Sequence, residues 1–128
     1  MPLTVAFADS EVASVTHVGT ALHIRLAAAS ATRADAGQAP VHGHVAAMEW
    51  VLHGASVDAP LHDLFGRLTS GRVEIAGRWL AEVALPSHAA GPVRIELAFA
   101  NRSALAAVGT AFECRVDGAP RFSESLAC

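Results

Sequence analysis

Apolar and polar residues alternate along much of this chain with a period of two. In the clearest run, apolar residues occupy positions 93, 95, 97 and 99, with Arg94 and Glu96 between them. Similar runs cover residues 3–7, 21–28, 72–75, 79–85 and 112–116. A period of two places the apolar side chains on one face of an extended strand. The pattern therefore predicts half-buried β-strands, although alanine, a good helix former, is abundant.

Short turn-forming sequences separate these runs. Ala76-Gly77 has the length of a tight hairpin turn, and residues 117–120, Asp-Gly-Ala-Pro, follow the run 112–116. About nine short strands at this spacing predict an all-β fold, a single antiparallel β-sandwich or β-barrel. The length of 128 residues suits one all-β domain, which we place at residues 1–128.

Two segments lack the period of two. Residues 29–41 are rich in alanine and contain Gly37 and Pro40, which predicts a long, mobile loop. In residues 58–68, Asp58 is a candidate N-cap, and apolar residues follow at helical spacing at positions 61, 64, 65 and 68. This second segment predicts one short helix that closes an end of the sheet.

The composition excludes several classes of protein. With 52% hydrophobic residues the chain can bury a core, which excludes intrinsic disorder. The nine basic residues are all arginines, scattered without a cluster, and the net charge is −3. We therefore expect no nucleic-acid partner, since phosphate binding needs several cations on one face. The longest apolar stretches fall far short of the ~18 residues of a membrane span, so we expect no membrane partner.

The cysteines and the N-terminal residues bear on cellular location. Residues 1–5 lack a cationic region followed by an apolar core, so we expect no signal peptide. Cys114 and Cys128 do not make a disulfide framework, and we expect two reduced thiols in a cytoplasm. Cys114 lies on an apolar strand face and should be inert, whereas Cys128 should be reactive. Arginine without lysine, together with abundant alanine, indicates a GC-rich and, we expect, bacterial genome.

His42 and His44 are the candidate metal ligands. A His-x-His pair on a strand points both imidazoles to one face, about 7 Å apart. Two neutral imidazoles at that spacing can share one divalent metal ion. Because Zn²⁺ usually takes three or four protein ligands, a third must come from another element. The candidates for it are His62, Asp63 and His88.

The position of Glu49 decides between two versions of this site. Residues 45–53 contain neither Pro nor Asn and reach Gly only at 54, so one continuous strand would point Glu49 to the opposite face. A bulge near Ala46-Ala47 would instead bring Glu49 to the side of the two histidines. The spacing His42-x-His44-x4-Glu49 resembles the first metal motif of the cupin family. Cupins are double-stranded β-helix barrels whose His-x-His and Glu bind a divalent metal. The resemblance covers eight residues, and the family's second motif has no counterpart here.

Two further interpretations concern binding. Outward strand positions are often alanine, which leaves a sheet face short of charged groups and predicts a homodimer interface. The alanines in question are Ala13, Ala47, Ala84 and Ala98. Alternatively, a barrel could enclose a small apolar ligand, with Trp50 and Trp79 lining its mouth.

The sequence therefore favours a small soluble binding or interaction module. No Gly-x-Ser-x-Gly elbow and no Gly-rich phosphate loop with a lysine occurs, and we expect neither catalysis nor a cofactor. The alternative is a metal-binding, cupin-like β-barrel protein that uses His42 and His44 and takes a divalent metal as its cofactor. Neither interpretation names a small-molecule ligand.

Overall fold

The alternating runs form strands that pair into one antiparallel sheet. The computed structural model describes residues 2–57 and 60–125. Within these residues the strands are β1 (Leu3–Val18), β2 (Ala21–Arg33), β3 (Val41–His53), β4 (Ser56–Val57), β5 (Gly66–Ile75), β6 (Arg78–Leu80), β7 (Glu82–Leu85), β8 (Ser87–Phe99), β9 (Ala104–Val116) and β10 (Phe122–Glu124).

The sheet closes into a barrel of six strands. Neighbouring strands follow the order β3-β2-β1-β5-β8-β9, and β9 pairs back onto β3, from Met48 opposite Val116 to His53 opposite Ala111. The prediction of an all-β antiparallel fold is confirmed, and of its two forms the barrel is the one adopted. The short strands extend the wall: β10 pairs with β3, β7 with β1, β6 with β5 and β4 with β9.

The predicted apolar faces fill the interior of the barrel. The alternating apolar residues of β8 from Val93 to Phe99 are buried. Trp50 is fully buried, and its ring centroid lies 4.6 Å from that of Phe7. The largest fully buried side chains besides these two include Phe112, Leu22, Ile24, Leu52, Leu68, Ile95 and Leu105. Burial of this apolar surface is the main term that stabilises the barrel.

The predicted helix at residues 58–68 is not formed in the part of this segment that the structure describes. Residues 61–63 form a turn, and β5 begins at Gly66. Gly66 and Arg67 pair with β1, and the rest of β5 pairs with β8. Leu64 and Leu68 are buried nevertheless, because the sheet offers them the same core. Pairing on both sides of the strand outweighs the local helical spacing. The proposed N-cap, Asp58, lies outside the described residues.

The predicted loop at residues 29–41 is shorter than expected. β2 continues to Arg33 and β3 begins at Val41, so only residues 34–40 connect them. Ala29 and Ala31 are buried in the barrel. Because alanine gives no contrast in polarity between an inner and an outer face, the sequence does not show the alternation expected of this part of β2. Residues 87–91, which lack an alternating pattern, likewise belong to β8.

A serine side chain provides hydrogen-bond partners for backbone groups at one irregularity in the ladder between β1 and β2. Their register shifts between the pairs Ala6–Ser30 and Glu11–Ala28, which leaves backbone groups unpaired. Ser10 is fully buried at this point. Its hydroxyl donates to the carbonyl of Ala6 at 2.7 Å and accepts from the N–H of Ser30 at 2.9 Å. The side chain thereby satisfies backbone groups that would be costly to bury without partners.

Among the described residues, no helix has the length and the apolar composition needed to cross a membrane.

Candidate functional site

Three neighbouring strands change face at the same level of the barrel wall. In a regular strand successive inward residues are two positions apart. Each of these strands has a pair of successive buried residues that are instead three positions apart, so two consecutive residues between them face outward. The pairs are Val12 and Val15 on β1, Leu26 and Ala29 on β2, and Val45 and Met48 on β3. The three irregularities line up across the sheet and deform the wall as a unit.

The bulges of β2 and β3 occur in tandem. Leu26 pairs with Met48 and Ala28 pairs with Ala46, so the register is the same on both sides of the irregularity. Ala47 adopts a positive φ of 55°, a left-handed conformation that costs a non-glycine residue about 1–2 kcal/mol. Strain of this kind persists where the surrounding structure holds it and is concentrated at functional sites.

The tandem bulges open a groove of about 580 Å³ across the outside of the barrel. We call it the bulge groove. Alanine side chains line it where the strands change face, and charged groups lie along one rim. The alanines are Ala13, Ala27, Ala46 and Ala47, and the charged residues are Arg25, Glu49, Arg115 and Asp117. Because alanine side chains are short, they do not fill the depression that the bulges create.

A chain of ion pairs crosses the rim from β2 to β9. Glu49 Oε1 accepts from Arg115 Nη2 at 2.6 Å and from Nε at 2.8 Å, while its Oε2 lies 3.3 Å from Nδ1 of His23. Arg115 Nη1 also lies 3.4 Å from Glu113, whose other oxygen is 2.8 Å from His53 Nε2. Both oxygens of each carboxylate therefore have a cationic or histidine partner, on a neighbouring strand or, for Glu113 and Arg115, on the same strand.

The same contacts shift the pKa values of the residues in this chain of ion pairs. Burial raises the pKa of Glu49, but hydrogen bonds from Arg115 and His23 outweigh it and hold the pKa below its ordinary value. The hydrogen bond from His53 is the main cause that lowers the pKa of Glu113. The hydrogen bond to Glu49 raises the pKa of Arg115. The ionised form of each carboxylate is thus the form that the fold stabilises.

Arg25 has a different environment from Arg115. Its backbone partners are Ser14 on one side and Glu49 on the other, and its side chain is exposed. Among the described residues no carboxylate lies within ion-pair distance of Arg25, because Glu49 is held by Arg115 and His23. The groove therefore presents an uncommitted guanidinium beside its alanine surface.

The candidate metal ligands lie on β3 just before the bulge. His42 and His44 are both exposed and point to the same face, as their spacing predicts. Nδ1 of His42 lies 3.1 Å from the hydroxyl of Thr32, and Nδ1 of His44 lies 3.3 Å from the hydroxyl of Ser125. The bulge at Ala47 brings Glu49 to this outer face as well, so the version with a bulge is the one adopted.

The three residues nevertheless do not meet. Both oxygens of Glu49 contact Arg115 and His23 instead of the two histidines. In the part of the chain that the structure describes, no group of three or more His, Cys, Asp or Glu side chains could hold a metal ion. Two of the candidate third ligands, His62 and Asp63, pair with each other at 3.2 Å. Metal binding by His42 and His44 stays a prediction.

The two tryptophans do not share a barrel mouth. Trp50 is fully buried in the core, whereas Trp79 is half-buried on the outer surface, with the guanidinium of Arg72 4.0 Å from its ring centroid. The predicted pair of mouth residues is therefore wrong, because Trp79 on β6 pairs with Glu74 of β5 on the outer face of the wall. Cys114 pairs with Trp50 inside the barrel, and burial raises the pKa of its thiol to about 12. Cys128 lies outside the described residues.

Sequence patterns alone did not reveal the bulge groove. The available signal is the spacing of strong apolar residues, since Val45 and Met48 cannot both face inward on a regular strand. On β2 the signal is weaker, because residues 27–29 are all alanine. The ion-pair chain depends on the pairing of β9 with β3, and this pairing joins residues 58 to 68 positions apart in the sequence.

Comparison of the chain with protein-family models, with curated proteins and with solved structures found no match.

Proposed function

We propose that the protein is a small, non-catalytic binding module and that the bulge groove is its ligand-binding surface. The observation that carries the proposal is the alignment of three bulges that opens the groove across the wall. Bulges leave backbone N–H and C=O groups free of the ladder, and they recur beside binding and active sites. A groove of about 580 Å³ is within the usual range for small-molecule sites.

The chemically reactive groups near the groove support binding over catalysis. Glu49 and Glu113 are held ionised by arginine and histidine partners, so neither is poised to exchange a proton near neutral pH. The thiol of Cys114 is buried and its pKa is about 12, which suits a core residue better than a nucleophile. These groups are committed to the wall and the core, whereas Arg25 and the alanines are accessible to a ligand.

The proposal includes a cytoplasmic, bacterial homodimer. The cysteine usage and the arginine-rich, lysine-free composition support the location. The exposed side chains of Ala104, Ala106 and Val108 form an apolar strip on the outer face of β9, which supports a surface that a second copy covers. In the dimer the bulge groove stays open, since the exposed apolar strip on β9 lies on another part of the wall.

The experiment is a titration of ¹⁵N-labelled protein with three six-carbon probes, 1-hexanol, hexanoate and hexylamine, followed by amide chemical shifts. We expect at least one probe to shift the amides of Ala13, Ala27 and Ala47 together. The variant Ala27→Leu places a larger side chain in the groove and should abolish these shifts. Ala84→Leu is the matched control, because Ala84 is an exposed alanine outside the groove.

Two outcomes contradict the proposal. One is that none of the probes moves the groove amides. The other is that the shifts persist in Ala27→Leu, or spread over the surface without regard to the groove.

A further inference from the structure

We infer that the bulge groove takes a small organic monocarboxylate, whose carboxylate group pairs with Arg25. This inference rests on the proposed binding function of the groove and adds the chemical class of the ligand. Arg25 lies on β2 at the rim, next to the bulged alanine Ala27.

The two arginines of the rim differ in the partners of their side chains. Arg115 already binds Glu49 with two nitrogens and contacts Glu113 with a third. Arg25 is the direct backbone partner of Glu49, yet its side chain is not paired with any described carboxylate. Its planar guanidinium offers a fork of donors that matches both oxygens of a carboxylate.

The charge of the groove suits a monoanion. Arg25 and Arg115 carry two positive charges, and Glu49 and Asp117 carry two negative ones. The formal sum is zero, so the groove offers a phosphate dianion or a nucleic acid no excess of cations. Binding of such polyanions requires several cations on one face. A single carboxylate needs only the uncommitted cation.

The surface beside Arg25 is apolar. Ala27, Ala46 and Ala47 offer methyl groups over which the apolar body of a ligand can lie. From β2 to β9 the groove crosses two strand spacings, about 10 Å. A body of about six carbons is close to that length. A short fatty acid or another small acid with an apolar body fits this combination.

The test compares hexanoate with 1-hexanol and with inorganic phosphate, by chemical shifts and calorimetry at neutral pH. We expect hexanoate to bind at least about tenfold more tightly than 1-hexanol, the range expected for a charge-assisted hydrogen-bonded pair. Phosphate should not shift the groove amides. Arg25→Gln should weaken hexanoate by about tenfold or more and leave 1-hexanol nearly unchanged. Arg25→Lys keeps the charge without the fork and should give an intermediate affinity.

Arg78→Gln is the matched control, because Arg78 is exposed and lies outside the groove. It should bind hexanoate like the wild-type protein, and circular dichroism would verify that each variant is folded. Equal affinities for hexanoate and 1-hexanol, or an unchanged hexanoate affinity in Arg25→Gln, would overturn the carboxylate inference while leaving the groove as a binding surface. Absence of groove shifts with every probe would overturn both.

Discussion

Glu49 and Arg115 face each other across β3 and β9, and one carboxylate oxygen accepts hydrogen bonds from two guanidinium nitrogens, at 2.6 and 2.8 Å. The adjacent pair of the same ladder, Trp50 on β3 and Cys114 on β9, lies inside the barrel. The strand pair that closes the barrel is therefore stabilised by an ion pair on its outer face and by apolar packing on its inner face.

The ion-pair chain should make stability depend on pH in the acid range. The folded-state pKa values of Glu49 and Glu113 lie below the ordinary value of 4.5. Their contribution is therefore complete above about pH 4.5 and is lost as the pH falls through the folded-state pKa values. Glu49→Gln should lower the free energy of unfolding by about 1 kcal/mol at pH 7 and by less at pH 3.

Urea denaturation of wild type and Glu49→Gln at the two pH values measures this difference. Glu82→Gln serves as the control, because Glu82 is exposed on β7. A penalty for Glu49→Gln that is as large at pH 3 as at pH 7 would contradict the assignment to the ionised carboxylate.

The thiol of Cys114 should be inert in the folded protein. It is fully buried and its pKa is about 12, so almost no thiolate forms at neutral pH. In a Cys128→Ser variant, which leaves a single thiol, a thiol reagent should label Cys114 only after denaturant is added. Rapid labelling of the native variant would show that the register of β9 is different.

The two tryptophans should differ in their contribution to stability. Trp50 is fully buried against Phe7, so Trp50→Ala should cost about 3–5 kcal/mol or unfold the protein. Trp79 is half-buried and stacks with Arg72, and Trp79→Ala should cost about 1 kcal/mol. Urea denaturation followed by circular dichroism compares them. Similar losses would mean that Trp79 also supports the core.

Zinc titration separates the two versions of the histidine site. Because Glu49 is engaged by Arg115 and His23, we expect any binding at His42 and His44 to be weak and independent of Glu49. Calorimetry should then give the same affinity for wild type and Glu49→Gln, and no binding for His42→Ala/His44→Ala. A large loss with Glu49→Gln would instead support the cupin-like triad.

The protein should be a dimer in dilute solution. Along β9, the outward side chains of Ala104, Ala106 and Val108 form an exposed apolar strip, and Val108 is 44% exposed. Val108→Arg should convert the dimer into a monomer of about 13 kDa in sedimentation experiments, since it places a charge in the strip. Val18→Arg is the control, because Val18 is 63% exposed at a hairpin end. A monomeric wild-type protein at micromolar concentration would contradict the dimer.

Much of the barrel could be predicted from strands with a strong contrast between faces. The residues of β8 from Val93 to Phe99 alternate between large apolar and charged side chains, and their faces follow directly. The hairpin at Ala76-Gly77 has positive φ angles at both positions, as its sequence and length suggest.

Prediction failed where the decisive interaction joins distant residues or where side chains carry little contrast. Ala29 and Ala31 are buried and alternate with Ser30, but these small side chains give little contrast in polarity, so residues 29–33 at the end of β2 are predicted as part of a loop. At residues 64–68 a helical spacing competes with pairing to β1 and β8, which no local pattern displays. The bulge groove combines both difficulties, since it depends on alanines and on strands brought together by closure.

The tandem bulge also constrains how the chain can change in length. Deleting Ala47 alone would make β3 a regular strand while β2 kept its extra residue, and the ladder beyond that point would be out of register. Removing Ala27 and Ala47 together would restore a regular ladder between β2 and β3 with the same inward residues and would leave β1 as the one irregular strand of the three. In a lineage that descends from this barrel, losses and gains of single residues at these two positions should therefore occur in pairs.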